Sequence, residues 1–349
     1  MIIFAKYLFV MRRFLLLLSL FVSLAAPCQN KKDSFWRDLN DFLNMREDKN
    51  YAKLDSNYIG RYPYHWDARL FYNSTSLRIR VDGLNDVDLA TGMNHRAGIG
   101  LSYRGLGLSY SRAIGKKLNF NFSLDSYGKN FGFEYALRFT TALKGTVKTP
   151  SSESPMENLV LGESRLNLFY SFNSRFSYAA AMKQSKIQRR SAGSFIASAS
   201  WSVWDVVSLD GFGTVREPEE VESIFDQLQS NLLYNRVSIG AGYGYNWVFG
   251  NRHWLIHGSL VPMWTVYEAT TDWEKGKRSH HPYPYGWVTF CATGRAAVSY
   301  QWGERWSLGL NGVINQMVSR NTKKGDDFHR FGAQDWQIRL SLSFRFGSR

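Results

Sequence analysis

Residues 336–346, WQIRLSLSFRF, decide the fold class. Trp336, Ile338, Leu340, Leu342, Phe344 and Phe346 take every second position, with Gln337, Arg339, Ser341, Ser343 and Arg345 between them. A strand projects alternate side chains to opposite faces, so this segment has one wholly apolar face and one wholly polar face. In a soluble sandwich the apolar face would turn to a core. In an exported chain rich in glycine and aromatic residues it turns to lipid, because only helices and closed barrels satisfy every backbone group inside a bilayer.

The same alternation recurs upstream. Leu118, Phe120, Phe122 and Leu124 oppose Asn119, Asn121, Ser123 and Asp125. After a turn at Gly128-Lys129-Asn130, Phe131, Phe133, Tyr135, Leu137 and Phe139 oppose Gly132, Glu134, Ala136 and Arg138. Val237, Ile239, Ala241, Tyr243, Tyr245 and Trp247 oppose Ser238, three glycines and Asn246. Trp306, Leu308, Leu310 and Ile314 oppose Ser307, Gly309, Asn311 and Asn315. A soluble barrel would bury its apolar rows and expose charges, whereas aromatic rows backed by polar and glycine rows are the pattern of a membrane barrel.

Further strands are predicted at 66–82, 94–104, 106–113, 163–172, 175–187, 194–207, 253–268 and 287–302, which brings the candidates to thirteen. A single-chain bacterial barrel has an even number, with both termini in the periplasm. Residues 83–93, 143–162, 208–231, 269–286 and 320–334 are long connections expected outside. The turns at Arg104-Gly105, Gly128-Lys129-Asn130, Asn173-Ser174, Gly250 and Gly303 are short and expected in the periplasm. The two halves agree only if one strand between about 163 and 210 is miscounted. The fold class is therefore all-β, an antiparallel up-and-down transmembrane β-barrel of twelve strands, with fourteen as the second choice.

The N-terminus sets the compartment. Arg12 and Arg13, the apolar run 14–24 and the small-residue exit Ala25-Ala26-Pro27-Cys28 form the three parts of a secretory signal, with cleavage expected after Cys28. Cys28 is also a candidate lipid-anchor site, for which Pro27 is a poor neighbour. Domains are expected at 1–28 (signal), 29–64 (periplasmic segment) and 65–349 (barrel). Within 29–64, Phe35, Trp36, Leu39, Phe42 and Leu43 fall at helical spacing behind a cap at Asp33 or Ser34, which predicts a short amphipathic helix able to engage a partner. Aromatics make up 16% of the chain and prolines number only 8, a balance that suits many strands joined by turns.

Removing residues 1–28 takes away Lys6, Arg12 and Arg13 and no acids, so the net charge falls from +14 to +11. The arginines are dispersed along alternating strands rather than clustered, which argues against nucleic acid as a partner. Outer-membrane lipids and the phosphates of lipopolysaccharide are the expected polyanions. With Cys28 gone, Cys291 stands alone, so no disulfide framework is expected. His280-His281 have no third ligand nearby in sequence, and neither a metal nor a cofactor is expected.

Several stretches carry a family resemblance: LDSNYIGRYPYHWDARLFYNS (54–74), GIGLSYRGLGLSYS (98–111), DSYGKNFGFEYALRFTTALKG (125–145), QRRSAGSFIASASWS (188–202) and GYGYNWVFGNRHWLIHGSL (242–260). The chain resembles a family of outer-membrane proteins from Bacteroides-type bacteria, domain of unknown function 4421 (DUF4421). The resemblance implies a signal-bearing outer-membrane barrel inserted by the barrel assembly machinery, and it carries over no functional residues. One departure is the end of the chain, where Phe346 is followed by Gly347-Ser348-Arg349 rather than being terminal.

Three functions remain open. A porin-like channel, transport or solute-binding barrel would line its lumen with Asn119, Asn121, Asp125, Glu134, Arg138, Arg165, Asn167, Arg339 and Arg345. Glu134 and Arg138 share a face, so paired charges that plug a narrow barrel are the alternative within this class. An accessory barrel would instead bind a protein or glycan through its long loops, such as the acidic 213–229 or the basic 275–278. A lipid A or phospholipid acyl hydrolase would use His257 and Ser259, two residues apart on one strand face, with Glu268 or Asp272 as the acid. That pair is similar to the H-x-S of the lipid A deacylase family over three residues only.

Overall fold

The computed structural model describes residues 54–83, 86–115, 118–208, 232–274, 277–282, 287–321 and 328–348, with a few single positions before residue 54. The expected signal at 1–28, the helix at 33–43 and the acidic loop at 213–229 lie outside these residues. The unit Lys53–Arg349 is the barrel.

In chain order the strands are β1 (Ile59–Gly60), β2 (Tyr64–Gly83), β3 (Asp86–Ala90), β4 (Asn94–Tyr103), β5 (Leu106–Ala113), β6 (Asn119–Tyr127), β7 (Phe131–Lys148) and β8 (Glu153–Ser171). They continue with β9 (Ile187–Gln188), β10 (Ala192–Ser208), β11 (Leu232–Phe249), β12 (Trp254–Glu274), β13 (Lys277–Pro282), β14 (Trp287–Trp302), β15 (Trp306–Asn321) and β16 (Phe328–Ser348). Twelve of them pair antiparallel around a closed ring: β2, β4–β8, β10–β12 and β14–β16. The last barrel strand closes on the first, with Leu340 opposite Tyr72 and Arg339 opposite Asn73.

The alternating rows face as their chemistry demands. Ile338, Leu340, Leu310, Ile239, Tyr243 and Trp247 are exposed on the outer wall, while Ser341, Ser343 and Asn246 are buried on the inner one. The reverse would place arginines against hydrocarbon at about 2–4 kcal/mol each near the bilayer midplane. Aromatic rings ring the outside near the short turns: Trp66 meets Tyr103 at 4.5 Å, Trp254 meets Tyr300 at 4.7 Å, and Trp306 meets Phe344 at 4.7 Å. Such a girdle marks a membrane interface.

The miscounted strand is 175–187. These residues leave the wall and form a helix, α1 (Tyr178–Lys183), inside the barrel at the end with the short turns. The Asn173-Ser174 turn is consequently the start of a longer connection that also contains β9, paired with β1. Three consecutive alanines have the best helix propensity of any residue, Ser177 caps the first turn by accepting from Ala180 N at 3.2 Å, and Gln184 ends it in the left-handed region. An alternating apolar reading of FSYAAAMK cannot distinguish strand from buried helix.

The long connections also prove more ordered than expected. Residues 143–162 form the continuation of β7 and β8 around a tight turn at 149–152, and 83–93 contains β3. Strands β4, β5 and β6 have only 10, 8 and 9 residues between neighbours of 20 and 18. Above them β3 bridges the gap, pairing Val87 with Val81 of β2 and with Val147 of β7. A Cβ at Gly145 would sit 2.4 Å from the Leu89 side chain and 2.7 Å from the Asp88 carbonyl, so the bridge can approach β7 only at a glycine.

Candidate functional site in the barrel lumen

The lumen is filled in three layers. Toward the long connections, Leu77, Leu89, Leu143, Val147, Leu159 and Leu161 are buried together with Trp204, Met263 and Met317. This layer is a packed apolar seal, formed where the inward rows of β2, β3, β7 and β8 turn from polar to aliphatic. At the opposite end α1 is the second seal, with Tyr178, Ala179, Ala180, Ala181 and Met182 buried. Between the seals lies a chamber of about 130 Å³ lined largely by charged and amide side chains.

The inner seal is held by polar contacts. Asn311 Nδ2 donates to the Met182 carbonyl at 2.8 Å, Arg345 Nη2 to the Gln184 carbonyl at 2.6 Å, and Arg69 to the Lys183 carbonyl. These strand donors satisfy the carbonyls that a helix end leaves without partners. Arg345 also donates to Ser307 Oγ at 2.9 Å and lies 3.7 Å over the Tyr62 ring. Lys183 reaches into the chamber to Asp125 Oδ1 at 2.5 Å.

All nine residues expected in the lumen face inward. Asn119, Asn121, Asp125, Arg339 and Arg345 are buried, while Glu134, Arg138, Arg165 and Asn167 line the chamber. Arg138 Nη1 and Arg165 Nη1 both meet Asp335, each at 2.8 Å. Glu163 lies between the same two arginines, 3.4 Å from Arg138. Glu134 does not pair with Arg138, as their shared face suggested, but takes both Nη groups of Arg295 at 2.8 Å and accepts from Tyr127. The i, i+4 pair fails because those residues stand two inward positions apart along a strand, whereas Arg295 reaches across the lumen. Fork-to-carboxylate pairs of this kind are charge-assisted and geometrically fixed.

Sequence reading missed Arg96, Arg295, Asp335, Glu163, Lys183 and Asn73. Asp335 continues the polar row of β16 by one step, and that parity was the available signal. Arg295 and Asn73 sit on strands whose alternation is blurred by small residues, and Lys183 depends wholly on where α1 folds.

His257 and Ser259 are brought into contact, with Nε2 3.0 Å from Oγ. Their third member is neither Glu268 nor Asp272 but Asn246, whose Oδ1 is 2.8 Å from His257 Nδ1. Asn246 Nδ2 donates to the Ser177 carbonyl at 3.0 Å and to Gln188 Oε1 at 3.1 Å, which fixes its amide orientation and makes His257 Nδ1 the donor. Glu268 instead accepts from Tyr234 and from Thr289 Oγ1 at 2.5 Å, and the Asp272 side chain is outside the described residues. On the lumen side Tyr178 OH meets Ser259 Oγ at 2.9 Å, and the rings of Phe176 and Tyr178 lie 5.9 and 5.2 Å from the imidazole. The chain Tyr178–Ser259–His257–Asn246 therefore ties α1 to β12 and β11, with the half-buried serine hydroxyl held by Tyr178 and His257.

Comparison with known proteins gives the family. The model of domain of unknown function DUF4421 matches residues 53–346. No curated protein matches the chain. Among solved structures, the translocator domain of the autotransporter NalP from Neisseria meningitidis is similar at a TM-score of 0.40 and 9% identity, over 90% of this chain and 98% of that one. The outer membrane protease OmpT from Escherichia coli is similar at 0.33 and 9%, over 81% and 97%. The toluene transporter TodX of P. putida is similar at 0.31 and 7%, over 82% and 91%.

Proposed function

Because the chain belongs to the DUF4421 family, whose description assigns no activity, we propose from its geometry that it is a solute-binding transport barrel of the outer membrane. The carrying observation is the charged chamber enclosed between an apolar seal and a separately held helix. The wall is rigid, each strand being bonded on both sides, whereas α1 is a six-residue element tied by a few side-chain hydrogen bonds. Single hydrogen bonds contribute about 0.5–1.5 kcal/mol net, so cutting one tie shifts the plug equilibrium by roughly two- to tenfold. Exchange with the periplasm then proceeds by displacement of α1, and an ordinary open pore is not the resting state.

The test places a thiol in the chamber. Gln337→Cys, with Cys28 and Cys291 replaced by Ser, is treated with a small water-soluble maleimide in the folded, detergent-solubilised barrel. Slow labelling that accelerates several-fold in Tyr178→Phe supports plug-controlled access. A thiol that stays unreacted for hours in both proteins sinks the proposal.

A further inference from the structure

We infer that the chamber is an anion site, with its seat on the row Arg339–Asn73–Arg96. This inference rests on the solute-binding reading and names the class of solute. The three residues stand at one level on adjacent strands β16, β2 and β4, Arg339 opposite Asn73 and Asn73 opposite Arg96. Neighbouring strands lie about 4.8 Å apart, so their side chains form one continuous donor row.

The other chamber charges are spoken for. Arg138 and Arg165 share Asp335 and Glu163, Arg295 holds Glu134, and Lys183 holds Asp125. Arg339 and Arg96 have no carboxylate partner among the described residues. Arg339 donates from Nε to Asn73 Oδ1 at 2.9 Å and stacks 4.4 Å over the Phe71 ring. That ring lies where a Cβ of residue 98 would be, 2.4 Å away, so Gly98 is what lets Phe71 support the guanidinium. Arg96 is fully buried and reaches only neutral oxygens, Thr75 Oγ1 at 3.1 Å and Asn119 Oδ1 at 3.3 Å.

Two donors on this row have no partner among the described residues. The bond from Arg339 fixes Asn73 with Oδ1 as acceptor, which leaves its buried Nδ2 orphaned, and Arg96 Nε is orphaned too. Buried donors are almost always satisfied, and a buried ion without a counter-charge costs several kcal/mol. Of this row only Arg339 borders the chamber, with Asn73 and Arg96 behind it on the neighbouring strands, and an anion held by Arg339 supplies the counter-charge the row lacks. A guanidinium fork is matched to carboxylate and phosphate oxygens. A chamber of about 130 Å³ has room for a small oxyanion or a short carboxylate.

Equilibrium dialysis of the folded barrel against radiolabelled inorganic phosphate, and separately against succinate, tests this. One saturable site is expected, at least tenfold weaker in Arg339→Gln and in Arg96→Gln, with heat-modifiable migration unchanged. Gln337→Glu keeps both arginines and adds a carboxylate to the chamber wall, so it should also abolish binding. It serves where an arginine variant fails to fold. Retention of phosphate alone identifies a tetrahedral oxyanion, and of succinate alone a carboxylate. No saturable binding of either, in a barrel whose Gln337→Cys thiol does label, overturns the anion site and leaves the transport reading standing. Binding unaltered in both arginine variants overturns it as well, and an unreactive thiol removes the transport reading together with it.

Discussion

The two seals of this barrel are built on opposite principles. The outer one is dominated by aliphatic side chains projecting from the wall itself, such as Leu77, Leu143, Leu159 and Leu161, which carry no polar atom, with Trp204 Nε1 donating to Glu163 at its border. The inner one is a separate helix whose end carbonyls are held by Arg69, Asn311 and Arg345. Apolar packing is non-directional and is lost gradually with area, whereas a polar latch is directional and is lost bond by bond. On the transport reading proposed above, the second kind of seal stands where movement is needed.

The contrast can be broken most forcefully between the seals, in the charge network of the chamber. Asp335→Ala leaves Arg138 and Arg165 with Glu163 alone, and removing one partner from a buried ion network costs about 3–5 kcal/mol. Urea unfolding of the detergent-solubilised barrel should show that loss, and a shift under 1 kcal/mol would mean water, not Asp335, neutralises the arginines.

Leu161→Ala tests the outer seal. Leu161 is fully buried, so a loss of about 2–4 kcal/mol is expected, with chamber labelling through Gln337→Cys unchanged. If labelling rose as steeply as in a latch variant, the distinction between the two seals would fail.

The smallest expected effect comes from the inner latch. Tyr178→Phe removes one hydrogen bond to Ser259 and should cost about 1 kcal/mol, visible chiefly as faster labelling of the chamber. The same variant sharpens the hydrolase question. A serine-directed fluorophosphonate should leave Ser259 unmodified in the native barrel, because Tyr178 holds its hydroxyl. Stoichiometric modification abolished by His257→Ala would restore an acyl-transfer role for the Asn246–His257–Ser259 chain.

Much of the wall was legible in the chain because a strand's period of two is strict. Once WQIRLSLSFRF has a lipid face, every residue in it is assigned to one side, and the nine lumen residues follow by parity. Legibility failed where that period fails. YAAAMK reads equally as strand or buried helix, and only its position inside a closed ring, with donors waiting for its carbonyls, made it a helix. The partners of the charges were also hidden, since Glu134 finds Arg295 at a separation of 161 residues and Asn246 finds His257 across a strand pair.

By itself, then, the sequence determined an all-β membrane barrel and the inward side of its polar rows, with twelve strands preferred over fourteen, because alternation and the bilayer leave one arrangement that satisfies both backbone and side chains. Tertiary structure alone decided that α1 and an aliphatic layer flank the chamber, which arginines keep a carboxylate, and that Arg339 and Arg96 keep none among the described residues. The physical reason is that facing is a local property of each strand, whereas charge compensation depends on which residues meet across the barrel.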